Sequence, residues 1–333
     1  MNPGARPHGG GDPARPASGA TQAAARPAGP PVTLGQHPLL RAFLATRPAF
    51  LSITGVGVLL GWAAALHARA VFDPLTALAT LLFALAAHAG ANVINDFHDT
   101  DTDALNTERL YPYTGGSRFI QDGVMSRAAI GTLGYGLLAA VVGAGLWLVG
   151  RVGAGLLLIG VLGIFVGWAY SAPPLRLAAR GLGEVCIAAG WMLLVAGSDY
   201  VQRGSYAQAP VLAGLAYGLM VANLLYINQF PDFAADRAAG KLTVVARLGR
   251  RRAVGGYALL AGLAALVLAG SVAGRVLPVW ALAALLALVP AARAWRELQL
   301  HFLEPQQLRG AIVATIMATH VFGLLLACTL ALA

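Results

Sequence analysis

Residues 74–94 read PLTALATLLFALAAHAGANVI, and residues 95–103, which follow directly, read NDFHDTDTD. The first stretch is an apolar, small-residue run of the length, about 20 residues, that a helix needs to cross a bilayer. The second carries Asn95, Asp96, Asp99, Asp101 and Asp103. The same order recurs at 209–236, where an apolar stretch leads into NQFPDFAAD with Asn228, Asp232 and Asp236. The chain has only 14 acidic residues, so their gathering at the ends of two spans is a strong bias. Carboxylates at a bilayer edge are costly unless something positive neutralises them. Two such clusters, each opened by an asparagine, point to a shared divalent cation and a polyanionic ligand.

Outward from these runs the rest of the chain is equally apolar. It is 58% hydrophobic and 11% charged, with a mean hydropathy of +0.68, which argues against soluble domains. Nine stretches approach bilayer-spanning length: 49–68, 74–94, 128–150, 152–171, 183–200, 209–229, 253–274, 276–292 and 308–332. Many of the 41 glycines fall within them, and small residues let membrane helices pack closely. The alternation expected of a β-barrel is absent. These features predict an all-α polytopic membrane protein, with nine transmembrane helices in a bundle around a central cavity over residues 39–333. Residues 1–38 form a Pro/Gly/Ala-rich tail, expected to be disordered and lacking the apolar core of a secretory signal.

A net charge of +9 raises nucleic acid as a partner, but the basic residues mark loops beside a membrane. Arg41 and Arg47 precede the first span, Arg109, Arg118 and Arg127 follow the second, and Arg176 and Arg180 follow the fourth. Lys241 and Arg247 stand among the basic residues after the sixth, and Arg293, Arg296 and Arg309 follow the eighth. The intervening loops carry one each: Arg69, Arg151, Arg203 and Arg275. By the positive-inside rule the N-terminus and both Asp runs face the cytoplasm. The Ala/Arg/Pro/Gly bias suits a GC-rich genome, so a bacterial inner membrane is expected. Membrane lipid is an expected partner and nucleic acid is not.

On one helix, Asp96, Asp99 and Asp103 would share a face at i, i+3, i+7, and Asp101 would point the other way. Asn228, Asp232 and Asp236 would form a second stripe at i, i+4, i+8, although Pro231 should break or kink that helix. Oxygen ligands of this kind suit Mg²⁺, which completes its shell with water and phosphate oxygens. Each acidic run is followed by glycine and a base, Gly115–Arg118 in one half and Gly240–Lys241 in the other, as in a pseudo-duplicated bundle with its site between the halves. Acid, Mg²⁺ and base together can grip a diphosphate. No Walker A loop occurs, so ATP is not favoured. Cys186 and Cys328 lie inside predicted spans, and His88 and His320 read as packing or hydrogen-bonding residues. A diphosphate site beside a lipid-facing groove points to an isoprenoid diphosphate. Phe97, Trp168, Tyr170 and Tyr226 are candidates to shield the allylic cation formed when diphosphate leaves.

N-D-x-x-D-x-x-x-D at 95–103 and N-x-x-x-D-x-x-x-D at 228–236 resemble the two signatures of the UbiA-type intramembrane aromatic prenyltransferases. The resemblance covers residues 47–332. PDFAADRAAGKLTVVARLG (231–249) and GGSRFIQDG (115–123) are similar to the 1,4-dihydroxy-2-naphthoate branch, which serves menaquinone synthesis. YSAPPLRL (170–177) and RGLGE (180–184) also occur in the family. The resemblance implies a Mg²⁺-dependent transfer of a polyprenyl group from polyprenyl diphosphate to a small aromatic acceptor. Asp96, Asp99, Asp103, Asp232 and Asp236 would hold metal and diphosphate. Asn95 and Asn228 would support them by hydrogen bonding, Arg118 and Lys241 would contact diphosphate, and Arg47, Arg176 and Tyr170 would line the substrate site. Other acceptors, such as 4-hydroxybenzoate or homogentisate, stay open at this point, and an ion-coupled transporter is a more distant rival.

Overall fold

The computed structural model describes residues 37–333, so the expected tail lies, up to residue 36, outside the described residues. Among the described residues there is no strand. The helices are α1 (Pro38–Ala45), α2 (Pro48–His67), α3 (Pro74–His98), α4 (Thr100–Leu105), α5 (Arg127–Val152) and α6 (Leu156–Ser171), followed by α7 (Gly183–Arg203), α8 (Gln208–Ala238), α9 (Val244–Leu248), α10 (Arg250–Ala273), α11 (Leu288–His301) and α12 (Arg309–Leu332). A 3₁₀ stretch, Val279–Ala287, leads into α11.

Local chemistry sets many of the starts. Pro38, Pro48 and Pro74 open α1, α2 and α3, where a missing N–H is no loss. Asp73 caps α3 by accepting from Leu75 N at 3.0 Å, and Ser126 caps α5 by accepting from Ala129 N at 3.1 Å.

Among the described residues, eight segments are long and apolar enough to cross a membrane: α2, α3, α5, α7, α8, α10, Val279–His301 and α12. This makes the chain an integral membrane protein, but the expected nine spans become, among the described residues, eight with a shorter apolar helix. That shorter helix is α6, with 16 residues. At 1.5 Å per residue it reaches about 24 Å, less than the roughly 30 Å of a hydrocarbon core. The fourth expected span began at residue 152, but α5 runs on to Val152, where Gly153, at φ 106°, ends it, and α6 starts only at Leu156.

The core sits between α2, α8, α10 and α12, around the fully buried Leu60, Tyr217, Leu268 and Phe322. Tyr217 satisfies its buried hydroxyl by donating to Ile53 O at 2.7 Å. Small residues allow the close crossings. A methyl group placed on Gly61 of α2 would lie 2.5 Å from Val195 O of α7, and one on Gly218 of α8 would lie 2.5 Å from Ala188 O. Helices α5 and α6 are peripheral, with Leu146 58% and Val161 63% exposed on faces suited to lipid. Between them and α2, α3, α7 and α8 lies an apolar cavity of about 490 Å³. Both Asp runs lie at one end of the bundle, on the ends of α3 and α8, where Lys241 and Asn106 join them across the two halves.

Candidate active site

The first run does not form one helix. Helix α3 stops at His98, and Asp99 is at once its C-cap and the residue before α4. The expected shared face of Asp96, Asp99 and Asp103 is therefore divided. Asp99 and Asp103 line a polar cavity of about 600 Å³, together with Asn95. Asp96 is not among its lining residues. It is 4% exposed and accepts from Ser117 N at 3.1 and 3.3 Å, so it anchors the 115–118 loop. A side chain on Gly116, at φ 73°, would strike the Asp103 carboxylate at 2.3 Å, which explains the glycine there. Asp101 stands exposed at the rim, 3.9 Å from Arg127.

The second run keeps its helix. Helix α8 continues through Pro231 to Ala238, so the expected break is absent. A proline removes one backbone bond, but buried packing around Phe230 and Pro231 holds the turn, and Arg250 Nε donates to Phe230 O at 3.2 Å. Asp232 and Asp236 both line the polar cavity, one turn apart. Asp232 accepts from Asn106 Nδ2 at 2.5 Å and also bonds to the Thr114 side chain, and Asp236 accepts from Thr243 Oγ1 at 3.2 Å. Asn228 does not bond to Asp232. Its Nδ2 is 3.5 Å from Tyr113 O, and its buried Oδ1 has no partner. Asn95 does support the first run, donating to Asp99 Oδ2 at 2.7 Å.

Lys241 bridges the two runs, 3.0 Å from Asp99 Oδ2 and 3.9 Å from Asp236 Oδ1. Burial acts to lower its pKa, but the Asp99 and Asp236 carboxylates outweigh that and raise it, so it stays charged. Burial raises the pKa of Asp103 well above the usual carboxylate range, and the Asp96 and Asp99 carboxylates beside it add to the rise. Arg176 lines the same cavity. Arg118 does not. Its guanidinium turns to Asp103 O at 2.5 Å and to Asp122 at 3.5 Å, where it pins the loop.

The polar and apolar cavities meet. Arg47, Asn95, Tyr170 and Asn228 line both. Arg47 donates to Tyr113 O at 3.1 Å and lies over Phe50, 4.7 Å from its ring centre. Of the aromatic candidates only Tyr170 reaches the cavities. Phe97 packs on Gly131 of α5, Trp168 packs against Phe165, and Tyr226 donates to Ala253 O at 2.6 Å. Phe50 and Trp191 line the apolar cavity in their place.

Among the described residues no three His, Cys, Asp or Glu side chains are already gathered closely enough to hold one ion. Mg²⁺ does not demand such a cage, because it binds one or two carboxylates and leaves other positions to water and phosphate. Asp99 and Asp103 on one wall, Asp232 and Asp236 on the other, and the unpartnered buried Oδ1 atoms of Asn106 and Asn228 form a hard-oxygen donor set that fits it.

Several site residues escaped the motif reading. Asn106 lies just beyond the last aspartate of the first run, as the C-cap of α4. Thr243 caps α9 while holding Asp236. Gln229 donates to Glu184 and accepts from Val245 N at 3.1 Å, which ties the start of α7 to the loop carrying Lys241. Polar residues flanking a motif signal caps, but nothing in the sequence pairs them across it.

The sequence and the fold both have relatives among known proteins. A 1,4-dihydroxy-2-naphthoate octaprenyltransferase of Escherichia coli is 31% identical over 214 residues, covering 61% of this chain and 67% of that protein. The apo structure of a UbiA homolog from Aeropyrum pernix superposes with a TM-score of 0.66 at 17% identity, covering 83% of this chain and 97% of that one. A UbiA homolog from Archaeoglobus fulgidus, bound to DMAPP and Mg²⁺, superposes at 0.53 and 15% identity, over 86% of this chain and 98% of that one. Residues 56–316 match the UbiA prenyltransferase family as a whole, and with the fold in agreement the chain belongs to that family.

Proposed function

We propose that this protein transfers a polyprenyl group from polyprenyl diphosphate to a small aromatic acceptor, with 1,4-dihydroxy-2-naphthoate the acceptor and menaquinone the pathway. The observation that carries this reading is the meeting of a carboxylate-and-lysine cavity with an apolar one at Arg47, Asn95, Tyr170 and Asn228. The diphosphate belongs in the polar cavity and the hydrocarbon tail in the apolar one. The naphthoate acceptor follows the likeness to the E. coli enzyme, and the donor class follows the ligand of the Archaeoglobus homolog.

Asp99, Asp103, Asp232 and Asp236 would hold Mg²⁺, which supplies neutralisation of the diphosphate when bound. Lys241 adds a fixed positive charge on the same side, and Arg176 stands ready for remaining phosphate oxygens. As the allylic C–O bond breaks, the apolar walls would exclude water, and Tyr170, which lines both cavities, is the aromatic residue placed to shield the cation. The acceptor ring carbon forms the new C–C bond, and its carboxylate departs as CO₂. The Arg distribution supports an N-terminus and site facing the cytoplasm, and the Ala/Arg/Pro/Gly bias supports a bacterial inner membrane.

The test uses purified protein in detergent with Mg²⁺, labelled polyprenyl diphosphate and either 1,4-dihydroxy-2-naphthoate or 4-hydroxybenzoate. A prenylated product with the naphthoate alone, accompanied by CO₂ and lost on chelation, is expected. Transfer only to the benzoate would overturn the menaquinone assignment and leave the prenyl transfer standing.

A further inference from the structure

Two residues that line the apolar cavity, His88 and Trp191, carry unbonded polar atoms that no prenyl tail can satisfy. His88 lies on α3 two turns before Asn95, at i, i+7, and so on the same face. Its Nδ1 is 2.7 Å from Thr54 Oγ1 of α2, which fixes the ring. Its Nε2 has no partner among the described residues. The ring of Trp191, from α7, meets it edge-on with centres 5.2 Å apart, and Trp191 Nε1 is buried without a partner. His88, Thr54 and Trp191 all line this cavity.

A histidine that served only packing would direct its second nitrogen to a backbone acceptor, as His320 does with Ile316 O at 2.8 Å. Buried polar groups are otherwise hydrogen-bonded, so a buried indole N–H without a partner and an unbonded ring nitrogen, on two residues that line one apolar space, call for a ligand with polar substituents on a flat body. The donor's hydrocarbon tail has none. Seven residues of helix separate His88 from Asn95, about 10 Å, which leaves room for an aromatic ring between His88 and the junction of the two cavities.

We propose that His88, oriented by Thr54, and the indole N–H of Trp191 bind the ring oxygen substituents of the aromatic acceptor and select which acceptor ring is taken. This rests on the prenyl-transfer reading above and adds an acceptor subsite to it. His88 is here a specificity residue, remote from the diphosphate.

The experiment measures binding of 1,4-dihydroxy-2-naphthoate and 4-hydroxybenzoate without donor, and Mg²⁺-dependent binding of geranyl diphosphate without acceptor. It compares the wild type with His88→Phe, His88→Asn and Trp191→Phe, each checked for an unchanged Tm. Loss of one hydrogen bond predicts about tenfold weaker acceptor binding for His88→Phe and a smaller loss for Trp191→Phe, with diphosphate binding unchanged. His88→Asn, which keeps a polar side chain, recovers part of the loss, and acceptor KM rises while kcat holds. Unchanged acceptor binding in both His88→Phe and Trp191→Phe overturns the subsite, as does an equal loss of acceptor and diphosphate binding. A wild type that binds diphosphate but neither aromatic acid overturns the acceptor reading itself, a result distinct from failure of the variants.

Discussion

The two acidic runs have near-identical spacing and different structures. The run at 228–236 stays on one continuous helix through Pro231, and both of its aspartates face the cavity. The run at 95–103 divides at Asp99 into a helix end and a short helix, and its aspartates take different tasks. Asp99 and Asp103 face the cavity, while Asp96 is spent on the backbone of the 115–118 loop. The contrast teaches that motif spacing does not assign equal roles. What decides is which neighbour offers a donor: a loop amide for Asp96, and Asn106, Thr243 and Lys241 for Asp232 and Asp236.

The sharpest way to break this contrast is a set of three neutral replacements. Asp232→Asn and Asp99→Asn should each lower kcat/KM by about 10²–10³, the scale seen when one electrostatic contact to a reacting group is removed. Asp96→Asn should instead act mainly on stability, by about 1–3 kcal/mol for a disturbed buried bond, with the apparent Mg²⁺ affinity close to wild type. Thermal unfolding and Mg²⁺ titration of the three variants decide this, and equal loss of metal affinity in all of them would end the division of roles.

Lys241→Met should come next, raising the KM for the donor by about tenfold or more through loss of a charge-assisted contact. Arg118→Met should leave that KM nearly unchanged and lower Tm, because its guanidinium holds the loop and not the cavity. If the two exchange effects, the placement of Arg118 is wrong.

A further prediction concerns pH. Asp103 binds its proton more tightly in the fold than in the unfolded chain, because burial and the neighbouring carboxylates raise its pKa. Between the usual carboxylate range and that raised value the folded state holds more protons, so the contribution of Asp103 to stability falls as pH rises. Metal binding needs the ionised form, so Mg²⁺ affinity should rise over the same window. Calorimetric titration at several pH values checks the direction, and Asp103→Asn should flatten it.

The smallest effect is expected at Asp101→Asn. The exposed pair with Arg127 should contribute under about 1 kcal/mol and leave activity as it is.

The all-helical membrane class, the positions of most spans and the residues of both acidic runs were legible in the sequence. Each depends on composition over a window or on adjacent residues, and local periodicity carries that information. Three features were decided only by the tertiary structure. Gly153, at φ 106°, shortened the fourth expected span, since a glycine between apolar runs looks like any other small membrane residue. Packing kept α8 intact across Pro231 against its local preference. The pairing of Asn106 with Asp232, 126 positions away, and the turning of Arg118 from the cavity depend on which loops fold over the bundle end. Hydrogen-bond partners at that distance are chosen by the packing of whole helices, which no local pattern encodes.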